Sequence, residues 1–241
     1  MKNRRFLALL IFLPVLFLNS CDEVPWGCVE GNDRIAIEQR PIGSFSNITS
    51  YGSYVVNVEL GSEYSLTVEA DENLLSYIRT YIQGNTLVID NRNSRCIRSN
   101  EPIRIDVVTR NIEQLKLAGS GVIDASNFTA EELELELTGS GVIECRRITV
   151  DYLLANLTGS GVINLSGSAE TADYSLSGSG LIKGIEMVTE RCYASISGSG
   201  NIYTWVNDLL EVNISGSGNL YYDGEPVVDE TITGSGNVRR Y

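Results

Sequence analysis

Apolar and polar residues alternate with period two through much of the chain. Leu133-Glu134-Leu135-Glu136-Leu137 is the clearest run, and Leu115-Lys116-Leu117 repeats it. Such alternation predicts strands with one buried face. Each run ends in Gly-Ser-Gly, which opens at Gly119, Gly139, Gly159, Gly178, Gly198, Gly216 and Gly234. The intervals are 20, 20, 19, 20, 18 and 18 residues, too even for chance. Ala, Ser or Thr precedes every turn, and Leu or Ile stands two places before it. A second apolar pair follows: Val122-Ile123, Val142-Ile143, Val162-Ile163 and Leu181-Ile182, then Asn201-Ile202, Asn219-Leu220 and Asn237-Val238.

A unit of this length cannot close its own core, but stacked units bury a continuous one. Two all-β architectures satisfy the pattern: a parallel β-helix (solenoid) with one coil of about 20 residues per unit, or antiparallel hairpins closed into a barrel or prism. The β-helix is preferred, because the same turn at the same phase then gives every copy the same environment. Small Ser side chains suit a stacked corner, where their hydroxyls could bond from coil to coil. Asn201, Asn219 and Asn237 share one phase and could form an amide ladder.

The N-terminal half lacks the Gly-Ser-Gly signature. Its predicted strands are 35–37, 54–58, 64–68, 87–89 and 103–107, punctuated by Gly52, Gly61 and Gly84-Asn85. They form either irregular first coils or a capping sheet. One short helical piece is expected over 72–78, with Asp71 as its N-cap. No linker of disordered composition intervenes. Residues 34–240 therefore read as one domain, with irregular strands over 34–110 and repeat coils over 111–240.

The N-terminus changes the picture of where the chain works. Lys2, Arg4 and Arg5 precede an apolar run from Phe6 to Leu18. The run is shorter than the roughly 20 residues of a spanning helix and fits a secretory h-region. Leu18-Asn19-Ser20-Cys21 resembles a bacterial lipobox, which makes 1–20 a signal peptide, Cys21 the lipidated residue and 21–33 a tether. The lipid then anchors the protein to a membrane, and no later segment is apolar enough to span one. The expected location is the outer membrane, facing outward. Asp22-Glu23 leaves inner-membrane retention open.

The whole chain carries a formal charge of −13, and without residues 1–20 this becomes −16. Such a surface repels nucleic acid and anionic lipid headgroups. Four cysteines remain beyond Cys21, and export permits disulfides. Cys28 and Cys96 flank the non-repetitive region and are the favoured pair. Cys145 and Cys192 sit at different phases and two coils apart, roughly 10 Å by the strand spacing. That exceeds the ~7 Å reach of a disulfide, so the β-helix requires them unbridged.

Certain residues carry a resemblance. Arg40-Pro41-Ile42-Gly43-Ser44-Phe45-Ser46-Asn47-Ile48, Ala70-Asp71-Glu72-Asn73-Leu74-Leu75 and Gly84-Asn85-Thr86-Leu87-Val88-Ile89 are similar to the autotransporter-adhesin "head GIN" domain family, as are the serial Leu-Thr-Gly-Ser-Gly-Val-Ile units. The resemblance covers roughly 34–238. It implies an exported protein of β-helical coils, names no ligand and brings no catalytic motif.

With no histidine in the chain, Ser-His-Asp and Cys-His nucleophiles and His-containing zinc sites are excluded. A carboxylate-based β-helix polysaccharide-cleaving enzyme remains a rival. No constellation of roles supports it, and no cofactor or metal is expected. The Gly-Ser-Gly turns read as corners rather than anion nests on so acidic a chain. Glu131, Glu132, Glu134 and Glu136 read as a solvated stripe rather than a calcium site. Tyr203, Trp205, Tyr221 and Tyr222 form the richest aromatic cluster, as either a binding platform or packing for the last coils. The favoured function is a non-enzymatic surface adhesin for a glycan or protein, with an envelope scaffold as the alternative. Homo-oligomers are possible because a solenoid has open ends, which Arg239-Arg240-Tyr241 could cap.

Overall fold

The computed structural model describes residues 27–241. Lipidation at Cys21 and the signal peptide fall outside the described residues. The repeats form stacked parallel coils. Leu137, Leu157, Leu176, Ile196, Ile214 and Ile232 lie in one column, in register across successive coils. Ile123, Ile143, Ile163, Ile182, Ile202, Leu220 and Val238 form another. Coils of nearly equal length make this possible, since each residue then meets its counterpart about 4.8 Å away.

Each coil is three-sided, and the breaks in alternation show why. In the strand Val142–Gly159, Ile143 and Cys145 point inward, then Ile148 and Val150, then Leu153, Ala155 and Leu157. Two consecutive outward residues, Arg146-Arg147 and Asp151-Tyr152, turn the chain between sides. Gly-Ser-Gly makes the third corner. Here the glycines are obligatory. Gly159 has φ +121°, and an added Cβ would lie 2.5 Å from the Gly139 carbonyl oxygen of the coil below. That corner is stitched by backbone: Ser140 N–H donates to Gly119 O at 3.0 Å, Ser160 to Gly139 at 2.9 Å, and Ser179 to Gly159 at 2.9 Å. The expected hydroxyl ladder is replaced by these bonds. The amide ladder does form: Asn219 donates to Asn201 at 3.1 Å and Asn237 to Asn219 at 3.2 Å.

The N-terminal half contains both expected forms. Asn47–Gly52 and Val55–Leu60 make a regular coil, with Gly52 in register below Gly119. Thr86–Asn91 and Arg104–Thr109 pair parallel beneath it as a further layer. Around that layer the direction reverses. Ile78–Gln83 pairs antiparallel with Thr86–Asn91, and Ser65–Asp71 antiparallel with both Arg104–Thr109 and Ile35–Gln39. These strands cap one end of the solenoid. The expected helix is only a 3-10 turn, Leu75–Tyr77, with no side-chain cap. Asp71 is buried elsewhere, accepting from the Asp33 N–H at 2.6 Å and from the Ser99 hydroxyl. Arg40 holds the turn by donating to Leu75 O at 2.9 Å and Ile78 O at 2.8 Å.

Cys28 and Cys96 are disulfide-bonded, and Val29–Glu30 pairs with Ile97–Arg98. The segment expected as a tether is thus fastened to the body from Cys28 onward. Cys145 and Cys192 are free and buried, as the coil geometry requires. One hydrophobic core runs unbroken from Phe45 to Leu220.

Candidate binding surface

The outward positions also stack in columns, so the surface is striped along the axis. One stripe, on the side following the corner, runs Asp124, Glu144, Asn164, Lys183, Tyr203, Tyr221, Arg239. At its acidic end Arg146 bridges the two carboxylates, Asp124 at 2.6 Å and Glu144 at 3.2 Å. Its aromatic end stacks. The Tyr203 and Tyr221 rings lie 4.8 Å apart at 18°, and Tyr241 meets Tyr203 edge-on at 5.9 Å. The inter-coil spacing imposes this stacking on any two aromatic residues of one column.

The four residues of the aromatic cluster therefore separate. Tyr203 and Tyr221 form the ladder, and Trp205 stands exposed beside it with its indole N–H directed at Asn207 Oδ1, 3.3 Å away. Tyr222 lies on the inward column with Thr204 and packs half-buried on the core. Its phase, six residues after the opening glycine, is that of the buried Cys145 after Gly139. The sequence held that signal.

Across the corner lies a stripe that sequence reasoning did not single out. Thr138, Thr158, Ser177, Ser197, Ser215 and Thr233 form one outward column, and Asn156, Ser175, Ser195, Asn213 and Thr231 the next. With the corner serines they make a strip free of charge on an otherwise acidic body. At its edge sit the amide ladder and then the tyrosines. The corner N–H groups are consumed by the coil below, so the strip offers hydroxyls and amides, not an anion nest.

Glu131, Glu132, Glu134 and Glu136 point outward, opposed by the fully buried Leu133, Leu135 and Leu137. Glu134 accepts from Gln114 Nε2 at 2.7 Å, and Glu136 pairs with Lys116. With Asn47, Asn111 and Glu113 the first three line a groove of 520 Å³. Among the described residues, no group of three His, Cys, Asp or Glu side chains is placed to hold a metal ion.

A fold of Gly-cornered coils behind an antiparallel cap can be compared with known families. The profile described as "Putative auto-transporter adhesin, head GIN domain" matches residues 44–226. The chain belongs to that family. No curated protein matches the chain at a significant level. Solved structures share the fold. A "putative adhesin" from Bacteroides fragilis superposes with a TM-score of 0.81 at 18% identity, covering 88% of this chain and 100% of the other. A "Putative lipid binding protein" from Parabacteroides distasonis gives 0.73 at 24% identity, covering 89% and 100%. A "putative adhesin" from Parabacteroides merdae gives 0.71 at 23%, covering 88% and 98%. The head GIN domain is thus built here as a three-sided solenoid.

Proposed function

We propose that this head GIN protein is a cell-envelope lipoprotein of the outer membrane, acylated at Cys21. We take it to act without catalysis as a surface adhesin for a glycan or protein. One observation carries the reading: the Tyr203–Tyr221 stack and exposed Trp205 border an uncharged hydroxyl strip on a strongly acidic chain. Neutral polar groups beside aromatic rings suit ligands rich in hydroxyls or amides, and aromatic anchors with a polar surround recur at binding surfaces. The rigid parallel columns repeat these groups along the axis, so an extended ligand meets the same contacts in successive coils.

The test is a glycan-array and host-matrix screen on the soluble protein from Asp22 to Tyr241, with neutral and anionic lipid vesicles as further arms. Retention of a glycan or matrix protein, weakened at least tenfold by Trp205→Ala or Tyr203→Ala in a protein of unchanged circular dichroism, supports the reading. Binding to vesicles alone would move the function towards the lipid recognition named for the Parabacteroides distasonis relative. No binding at all, with normal adherence of cells lacking the protein, would leave the envelope-scaffold reading.

A further inference from the structure

The two ends of the solenoid are unlike. The N-terminal end is covered by antiparallel strands, whereas no described strand covers the last C-terminal coil. Among the described residues, Val227–Gly234 pairs only with the strand Asn201–Gly216, and Asn237–Arg240 only with Asn219–Asp223. Their other edges present free backbone N–H and C=O groups, the arrangement that recruits another strand. The core also ends uncovered, with Ile232 exposed and Val238 half-buried.

The last coil departs from the apolar rule in a particular way. Glu230 occupies the inward column of Tyr174, Ala194 and Val212. Arg240 occupies the inward column of Thr204 and Tyr222. Both charges are exposed at the mouth of the core. A lone inward charge would deter edge pairing. These two have opposite sign, and they lie at mirror positions about the corner: Glu230 is five residues before Ser235 and Arg240 five after it. Ile232 and Val238 are likewise three before and three after. Among the described residues, the Arg240 guanidinium reaches only the exposed Glu225 at 3.4 Å, a pair that holds it weakly.

We propose that two copies of this chain join end to end through their C-terminal coils, about a two-fold axis that passes through the Ser235 corner. That rotation lays Val227–Gly234 of one copy antiparallel to Asn237–Arg240 of the other and keeps inward side chains inward. Ile232 then covers Val238 of the second copy, and Glu230 meets its Arg240. The contact is isologous, so each pair occurs twice. Directly opposed residues of an antiparallel pair lie on one face within contact distance, so the mirror spacing makes the edge complementary to itself. A segment of another protein added to the same edge is the competing occupant.

The experiment uses the full-length chain in cells. Ser235→Cys places a thiol on the axis and should give a disulfide-linked dimer on non-reducing gels, while Ser140→Cys, at a corner in mid-rod, should not. Adding Glu230→Arg or Arg240→Glu to the Ser235→Cys chain should reduce the dimer at least tenfold. Co-expressing the two charge variants should restore it as a mixed dimer, because each then supplies what the other lacks. That rescue also excludes misfolding as the cause of the loss. Absence of a Ser235→Cys dimer, or crosslinking indifferent to both charges, overturns the proposal. Crosslinking of Ser235→Cys to a different protein overturns it in favour of the competing occupant.

Discussion

The Tyr174 ring occupies the space left by the missing side chain of Gly184: a Cβ built on Gly184 would lie 3.0 Å from the Tyr174 hydroxyl. That hydroxyl is fully buried with no hydrogen-bond partner among the described residues. Burial pushes its pKa well above the phenol range. The Thr204 hydroxyl is directed instead to Cys192 Sγ at 3.8 Å. Tyr174→Phe should therefore be neutral or stabilise by up to about 1 kcal/mol in denaturant unfolding, since it removes an unsatisfied buried group. Gly184→Ala should destabilise, and less so on the Tyr174→Phe background, a non-additivity expected of residues in contact. Equal costs on both backgrounds would show that the hydroxyl does not set the limit.

The corner glycines should differ sharply from glycine elsewhere. Gly159→Ala combines a positive φ with a 2.5 Å approach to the Gly139 carbonyl oxygen. It should cost about 2 kcal/mol or more. Gly43→Ala, where nothing lies within 4 Å, should change the unfolding midpoint little. Comparable effects at the two sites would refute the close-stacking account of the repeat.

Burial pushes the Cys145 and Cys192 thiols up to about 12. At pH 8 the folded protein should not react with a thiol reagent, while the unfolded chain should release both. The same shift has a stability consequence. A thiol whose pKa is higher folded than unfolded contributes fully below the unfolded value and progressively less as pH rises towards the folded one. Stability should therefore decline between about pH 9 and 12 through these groups, and Cys145→Ala/Cys192→Ala should flatten part of that decline. An unchanged slope in the double variant would remove the thiols from the account.

The Cys28–Cys96 bridge spans 68 residues. Closing a loop of that length restricts the unfolded chain by about 4 kcal/mol. Cys28→Ser/Cys96→Ser should lower stability by a comparable amount. Limited proteolysis should then cut first near the cap strands rather than in the coils.

What could be read in advance follows from which interactions are local. Gly-Ser-Gly announced the coils because stacking demands the same residue at the same phase every time. The coil Asn47–Leu60 showed only as the strand 54–58 after Gly52 in a region read as irregular, because Tyr54 stands where the second glycine belongs; its ring is buried, and Gly52-Ser53 alone is a weak mark. A capping sheet was one of two readings of the N-terminal strands, but its antiparallel pairings were beyond reach, since they join residues such as Ile35 and Asp71 that share no periodicity. Export, lipidation and ligand stand apart from all of this, resting on residues before Gly27 or on molecules the fold itself does not name. On the surface, the aromatic cluster was visible as composition, but only the phase of each residue separates Tyr222 from its neighbours. The hydroxyl strip was hidden in plain view: Ser and Thr beside each turn read as corner chemistry, whereas the register lays them out as a face.

The bridge at Cys28 also decides how the molecule bears tension. A pull on chain upstream of Cys28 passes covalently across the disulfide to Cys96, so the covalent line of force skips the backbone of residues 29–95. Arg40 and the turn it holds lie on that skipped stretch. Force enters the stack at Ile97–Arg98 and reaches Arg104–Thr109, already in register beneath the first coil. The antiparallel strands Ile35–Gln39 and Ile78–Gln83 then lie off the loaded line, while the coil Asn47–Leu60 shares the load through its pairing with Arg104–Thr109 and Gln114–Gly119.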